Sequence, residues 1–355
     1  MKTLSLTVAI AIMLIASPAQ ADKEYSFDKK ESFNGSNIDM IRIDMPSGDI
    51  KLSRSQTGEI EVSFKNEIYA RDEKEAEKIN DECLYKAEVS DGEVLITVDL
   101  PRHRKSGKSI FKRLITGDWN EDIDFYLSIS IPDGKTVDLN LSSADLEVSQ
   151  LKLDLDVRGS SSDIELRATK GNVKCDLSSG DVEVFDHTGN LSIEGRSSDI
   201  RIDGLRGDVD LRTSSGDGRL FDITGSIMIY SSSGDWRIND VGGDLDLRTS
   251  SGDIYVNTVG GSVRAKTSSG DIMLKTLTAT EGDFDIEAVS GDVTVEISPR
   301  FEGRLSLRTS SGDIKSRISA DIETLSDSRL VASMGQGKGR LTVATSSGDI
   351  RVTRY

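Results

Sequence analysis

Three arginines, Arg201, Arg219 and Arg237, stand eighteen residues apart, each two residues after an aspartate (Asp199, Asp217, Asp235). A guanidinium is a planar, permanently charged donor suited to carboxylate and phosphate groups, and a row of three suits a polymer that carries such groups along its length. The same position of the repeat holds Glu147, Glu165 and Glu183 before the arginines and Tyr255 and Met273 after them, so the column runs acid, base, then apolar. The plainer reading is that these arginines pair with Asp210, Asp246 or other surface acids. A second basic feature is the stretch from Arg102 to Arg113, where Arg102, Arg104, Lys105, Lys108, Lys112 and Arg113 occur without an acid in a chain of net charge −17. Its Gly107-Lys108-Ser109 resembles part of a phosphate loop, but Arg102 stands where that motif needs its first glycine, which excludes nucleotide binding there. Two uses stay open for the stretch: a solvated loop lying against the acidic body, or a contact for phosphate-bearing envelope polymers.

The aspartates themselves form the longest series: Asp145, Asp163, Asp181, Asp199, Asp217, Asp235, Asp253 and Asp271 at a spacing of eighteen, then Asp292, Asp313 and Asp349. Calcium is the tempting ligand, yet each turn supplies one carboxylate where calcium takes six to eight oxygens, so the series reads as a structural turn ladder with no metal. Stacked carboxylates about 4.8 Å apart repel by roughly 1 kcal/mol even in water and need compensation, for which Arg212, Arg248, Lys266 and Arg308, each five residues before a motif aspartate, are candidates. Catalytic chemistry is thinly represented. His187 takes a turn position held elsewhere by Leu205, Ile223, Val241 and Val259, which points to a structural role, and His103 lies in the basic stretch. No nucleophile with a supporting base and no metal-ligand spacing appears, so no cofactor and no enzymatic activity are expected. A β-helical glycan-degrading enzyme is the rival class, disfavoured because short turns cannot wall a cleft. Cys83 and Cys175 fall on apolar faces and read as buried thiols, with a disulfide as the alternative.

These side chains are positioned by one recurring unit, Thr213-Ser214-Ser215-Gly216-Asp217 and its relatives. A fixed period of this length marks a repeat architecture in which each unit stacks on the next. Residues one and three after each aspartate are apolar (Ile164 and Leu166, Val182 and Val184, Ile200 and Ile202). A second pair follows a second glycine (Val173 and Cys175 after Gly171, Leu191 and Ile193 after Gly189). Each coil is therefore two short strands and two turns, with alternation sending one face to the core and one to water. The fold class is all-β: a single-chain parallel β-solenoid, right-handed by default preference, of about twelve coils and roughly 55 Å. Trp236 stands eighteen residues after Gly218, so the indole should lie over a position with no side chain.

Before the regular coils, Ile38 to Phe64 reads as a first coil, with Ile60 and Val62 as its second strand. Ala76, Ile79 and Cys83 give one short amphipathic helix between Ala70 and Leu84, placed to cap the end of the stack, and residues 93–100 and 124–131 alternate as strands. At the other end Ile350, Val352 and Tyr355 close the last coil with no cap, which predicts an open edge and weak self-association through the C-terminal coil. Residues 1–21 carry Lys2, an apolar run from Leu4 to Ala16 and Ser17-Pro18-Ala19-Gln20-Ala21, the pattern of a cleavable signal peptide. The organisation expected is thus a signal peptide at 1–21, an N-terminal β segment at 22–136 and the regular solenoid at 137–355. Export to the periplasm or cell surface follows, with no membrane span, and the acidic charge disfavours nucleic acid as a partner.

Several of these motifs carry a family likeness. Thr249-Ser250-Ser251-Gly252-Asp253-Ile254-Tyr255-Val256, the early Pro46-Ser47-Gly48-Asp49-Ile50-Lys51-Leu52, and the run Ser130-Ile131-Pro132-Asp133-Gly134-Lys135-Thr136-Val137 resemble the bacterial putative-adhesin family of β-strand repeat proteins. The resemblance spans nearly all of the chain beyond the signal segment and implies a β-helical envelope protein of otherwise unknown function, with no catalytic residues to transfer. The basic stretch and Gly335-Gln336-Gly337-Lys338-Gly339 depart from a plain repeat. The functions that then compete are a binding module for an envelope glycan or a cell-surface protein, an envelope-stress sensor, and a structural spacer.

Overall fold

The computed structural model describes residues 23–99, 123–277 and 282–354. The expected signal peptide, the basic stretch from Arg102 to Arg113 and Tyr355 lie outside them. Within the regular region every coil contributes two strands, such as Val173–Ser179 and Val182–Thr188, followed by Leu191–Ser197 and Ile200–Arg206. Each strand pairs in parallel with the one eighteen residues on, Val182 opposite Ile200 and Val173 opposite Leu191. The apolar positions of both strands are buried between them, and one continuous core runs from Ile38 to Val352. The parallel β-solenoid read from the period is the architecture found.

The corners explain the turn sequence. Gly216 turns with φ +123°, and a Cβ there would lie 2.0 Å from the Ser198 carbonyl oxygen of the coil below, so only glycine fits. Three corners lack glycine and hold Ala144, Ser162 and Ser198 instead, each buried. Two of these make room by another route: Gly159 and Gly195 stand three residues earlier, where other coils carry Leu177 or Thr213. A Cβ on Gly195 would meet Ser198 Oγ at 3.1 Å, so side-chain volume at one corner position is traded against the other. The same trade appears between coils, where the fully buried Trp236 lies opposite Gly218 and its ring atoms come within 2.1 Å of where a Gly218 Cβ would be.

Both ends correct the simple stack. At the N-terminal end the single long strand Met40–Arg54 makes the first coil by itself, bending at Gly48 and pairing in register with Lys135–Ser149 so that Asp49 lies opposite Asp145. Ile60 and Val62 are not its second strand. They belong to Glu59–Ala70, which runs antiparallel to Lys23–Asn34 on one side and Ile123–Ile131 on the other. The reason is length: alternation sustained over twelve residues after the Gly58 turn makes a long hairpin partner, which a coil strand such as the seven-residue Val173–Ser179 cannot be. The helix Glu73–Glu82 forms as expected, with Asp72 as its N-cap. It does not cap the stack, because Ala76 packs with Ile68 and Ala70 in a satellite cluster beside Tyr25 and Phe27. Leu84–Ser90 and Lys23–Asn34 are the outermost strands of their sheets there.

At the C-terminal end the chain order and the stacking order part. The strands Gly339–Ser347 and Ile350–Arg354 insert between the coil of Asp283–Ile297 and the coil of Gly303–Arg317. The intervening residues form an antiparallel hairpin, Asp321–Ser326 with Arg329–Met334, which pairs with Gly303–Ser311 at the end of the rod. Gly335-Gln336-Gly337 then returns the chain against Glu302, whose carboxylate accepts the Gln336 amide at 3.3 Å. Ile350 and Val352 are fully buried and their strand is paired on both sides, so the predicted open edge, from which self-association through that coil was argued, is not there.

Candidate functional site

Asp145 begins an unbroken ladder in which each carboxylate Oδ1 accepts the backbone N–H of the aspartate in the next coil, at 2.8 to 3.2 Å. It passes through Asp163, Asp181, Asp199, Asp217, Asp235, Asp253, Asp271 and Asp292, then crosses to Asp349 before Asp313. The compensation for stacked negative charge is thus the amide of the next rung. Arg212, Arg248 and Lys266 serve elsewhere, bonding Asp210 at 2.8 Å, Asp246 at 3.1 Å and Glu287 at 2.7 Å, and no ion pair joins Arg308 to the ladder. At the distal end the Asp313 amide, followed by Lys315, holds the Asp349 carboxyl below its ordinary range. Asp49, opposite Asp145, is shifted upward by burial first and then by the charges of Asp145 and Asp124.

The outward column two residues on is assembled in the order read from the sequence: Glu147, Glu165, Glu183, Arg201, Arg219, Arg237, Tyr255 and Met273 are successive neighbours. Because of the inserted C-terminal coil it continues through Thr294 to Arg351 and Lys315. Arg201, Arg219 and Arg237 are exposed. Among the described residues no carboxylate lies within ion-pair distance of any of the three, and Asp210 and Asp246, the expected partners, are engaged by Arg212, Arg248 and Arg264 on the other sheet. Arg201 lies over the Phe185 ring at 5.5 Å, with Arg167 on the same ring at 4.5 Å. On the acidic half Lys51 bonds Glu147 at 2.7 Å and Arg167 pairs with Glu165. A groove of about 570 Å³ follows that half, lined by Glu147, Glu165 and Glu183 and by the ladder from Asp49 to Asp181.

A second ladder lies on the opposite sheet. Asp154, Asn172, Asn190, Asp208, Ser226, Asp244 and Ser262 each accept the amide of the next coil through a side-chain oxygen, at 2.8 to 3.4 Å, and the ladder ends on the Asp283 amide. It edges an axial groove of about 1140 Å³ whose other rim carries Asp156, Asp210, Asp246 and Asp285 against Lys174 and Arg264. The signal for it was in the sequence: from Gly171 to Gly282 the residue after each second glycine is Asn, Asp or Ser.

His187 is buried, shares a 2.8 Å hydrogen bond with Thr169 Oγ1 through Nδ1, and has its pKa lowered by burial. It is a core residue lying against Leu205. Cys83 and Cys175 are buried and not joined in a disulfide; burial pushes the Cys175 thiol up to about 12. Among the described residues no group of His, Cys, Asp and Glu is arranged to hold a metal ion, and no helix is long and apolar enough to cross a membrane.

Among curated proteins no sequence matches this chain. Solved structures that resemble it include a putative adhesin from Parabacteroides merdae (12% identity, 77% of this chain and 95% of that one, TM-score 0.30). Others are a putative lipid binding protein from Parabacteroides distasonis (13%, 92% and 96%, 0.29) and a putative cell adhesion protein from Clostridium sporogenes (9%, 93% and 100%, 0.23). The family model for Toastrack DUF4097 matches residues 59–244 and 243–353, more than three quarters of the sequence. With its in-phase coils and its two amide-bonded ladders, the chain belongs to the Toastrack DUF4097 family.

Proposed function

We propose that this protein is an exported, non-catalytic binding rod of the bacterial envelope, and that Arg201, Arg219 and Arg237 hold an anionic envelope polymer along the rod axis. The observation that carries the reading is the strip itself: three exposed guanidinium groups on adjacent rungs, without a carboxylate partner among the described residues. Rungs about 4.8 Å apart present donors at a repeat that a flexible phosphorylated or uronic polymer can follow. The basic stretch Arg102, Arg104, Lys105, Lys108, Lys112 and Arg113 is proposed as a second, adaptable contact for the same polymer. The solenoid's short turns leave its faces as open sheets, a form suited to an extended ligand.

The test is binding to purified lipopolysaccharide, teichoic acid and peptidoglycan fragments at low and moderate salt. The variant carrying Arg201→Glu, Arg219→Glu and Arg237→Glu is expected to lose roughly tenfold or more in affinity, with the parent's binding weakening as salt rises. A folded triple variant that binds every polymer as the parent does would reduce the strip to ordinary surface.

A further inference from the structure

The charge sequence of the outward column has a symmetry that a polymer site does not need. It reads Glu147, Glu165, Glu183, Arg201, Arg219, Arg237, three acids followed by three bases on consecutive rungs. We propose that this face pairs with the same face of a second copy of this chain, the two rods lying antiparallel. A two-fold axis across the rod, midway between Glu183 and Arg201, sets Glu183 opposite Arg201 of the second copy. It likewise sets Glu165 opposite Arg219 and Glu147 opposite Arg237, and each pair occurs twice, as an isologous contact requires. Both copies share one rung spacing, so aligning the central pair aligns all of them.

Some flanking positions suit this register, while in the neighbouring column Phe185 falls opposite Asp203. One rung beyond Glu147 is Lys51, and one beyond Arg237 is Tyr255, so the cation of one copy meets the ring of the other. In the neighbouring outward column Arg167 falls opposite Phe221. Ten rungs from Ser128 to Met273 at about 4.8 Å, and a strand roughly 13 Å wide, give on the order of 600 Å² per copy, near the lower end for a specific interface. Among the described residues of one copy no acid pairs with the arginines, and Glu147 and Glu165 each meet one intrachain cation while staying part exposed. A polyanion would engage the basic half, whereas a second copy also matches the acidic half, so pairing and polymer binding are competing uses of one strip.

The experiment is sedimentation of the purified protein at low and high salt, together with a charge exchange. One variant carries Glu147→Arg, Glu165→Arg and Glu183→Arg; the other carries Arg201→Glu, Arg219→Glu and Arg237→Glu. The parent is expected to be dimeric at low salt and to dissociate as salt rises, with each variant alone monomeric and an equimolar mixture dimeric. Should a triple variant fail to fold by circular dichroism, the single exchanges Glu183→Arg and Arg201→Glu at the two-fold axis replace it. A parent that stays monomeric at low salt overturns the proposal, as does a mixture of folded variants that does not pair, or folded variants that remain dimers by themselves. A monomeric parent that binds anionic polymer would overturn this pairing and leave the polymer reading standing, so the two fail separately.

Discussion

Gly218 and Trp236 show how tightly one coil constrains the next. The indole fills the space above a missing side chain, so Gly218→Ile must displace a fully buried ring. The variant is expected to lose about 1–3 kcal/mol, read as a lower urea midpoint with unchanged slope. That pairing was legible because both residues sit at one phase of the period; the trade of Gly195 against Ser198 was not, since it depends on how a corner folds. His187 carries a second residue-scale consequence. Burial holds its pKa below 6.5, so above that pH it is neutral in folded and unfolded chains alike. As pH falls through 6.5 the unfolded chain takes up the proton first, and stability drops by up to about 1.4 kcal/mol per pH unit until the folded pKa is reached. Melting followed from neutral to mildly acid pH should show this loss, and His187→Leu, which matches the Leu205 beside it, should reduce its slope.

The ladder is the element that the repeat motif builds, and its chemistry differs from what repeating acids suggest. Sequence spacing placed the carboxylates in a column, but charge counting then sent the arginines five residues upstream to balance them. Those arginines point to the outer face of the other strand, where they find Asp210 and Asp246. What each carboxylate needs it receives from the backbone, because the coil-to-coil step that stacks the side chains also stacks an N–H below the next aspartate. Asp217→Ala removes the acceptor for the Asp235 amide and is expected to cost about 0.5–1.5 kcal/mol. Asp217→Asn keeps an oxygen there and lowers the like charge along the column, so its urea midpoint should be no lower than the parent's. An Asn variant as damaged as the Ala variant would show that charge, not the acceptor, is what the rung requires.

At the scale of the whole molecule the C-terminal coil is an interior part. Gly339–Ser347 joins Asp283–Ser290 to Gly303–Ser311, and Ile350–Arg354 joins Val293–Ile297 to Ile314–Arg317. Ending the chain at residue 338 would therefore remove the rung that holds the distal coil and hairpin, and would not merely trim an edge. Hydrogen exchange of such a truncation is expected to lose protection throughout 303–334 while coils before residue 277 keep theirs. Protection retained in Gly303–Ser311 would mean that the distal coil can stack on Asp283–Ser290 without the inserted strand. The exposed Ile322 and Leu325 mark the hairpin as the true end of this sheet.

The sequence by itself determined the solenoid, the two strands per coil, the inward and outward faces and the composition of the arginine column. All of these follow from local alternation and a constant period, since the direction of a side chain is set by its own backbone and by counting. Tertiary structure alone decided which coil lies beside which. Repeats as alike as those ending in Asp292, Asp313 and Asp349 offer nearly the same core face and the same turn to any neighbour, so periodicity cannot rank their pairings. The choice rests on the antiparallel hairpin and on the return past Glu302, which bring the last segment back into a gap left between two earlier coils. The same reason hid the fate of Glu59–Ala70, whose alternation fits a coil strand and an antiparallel ribbon equally until its partners are known.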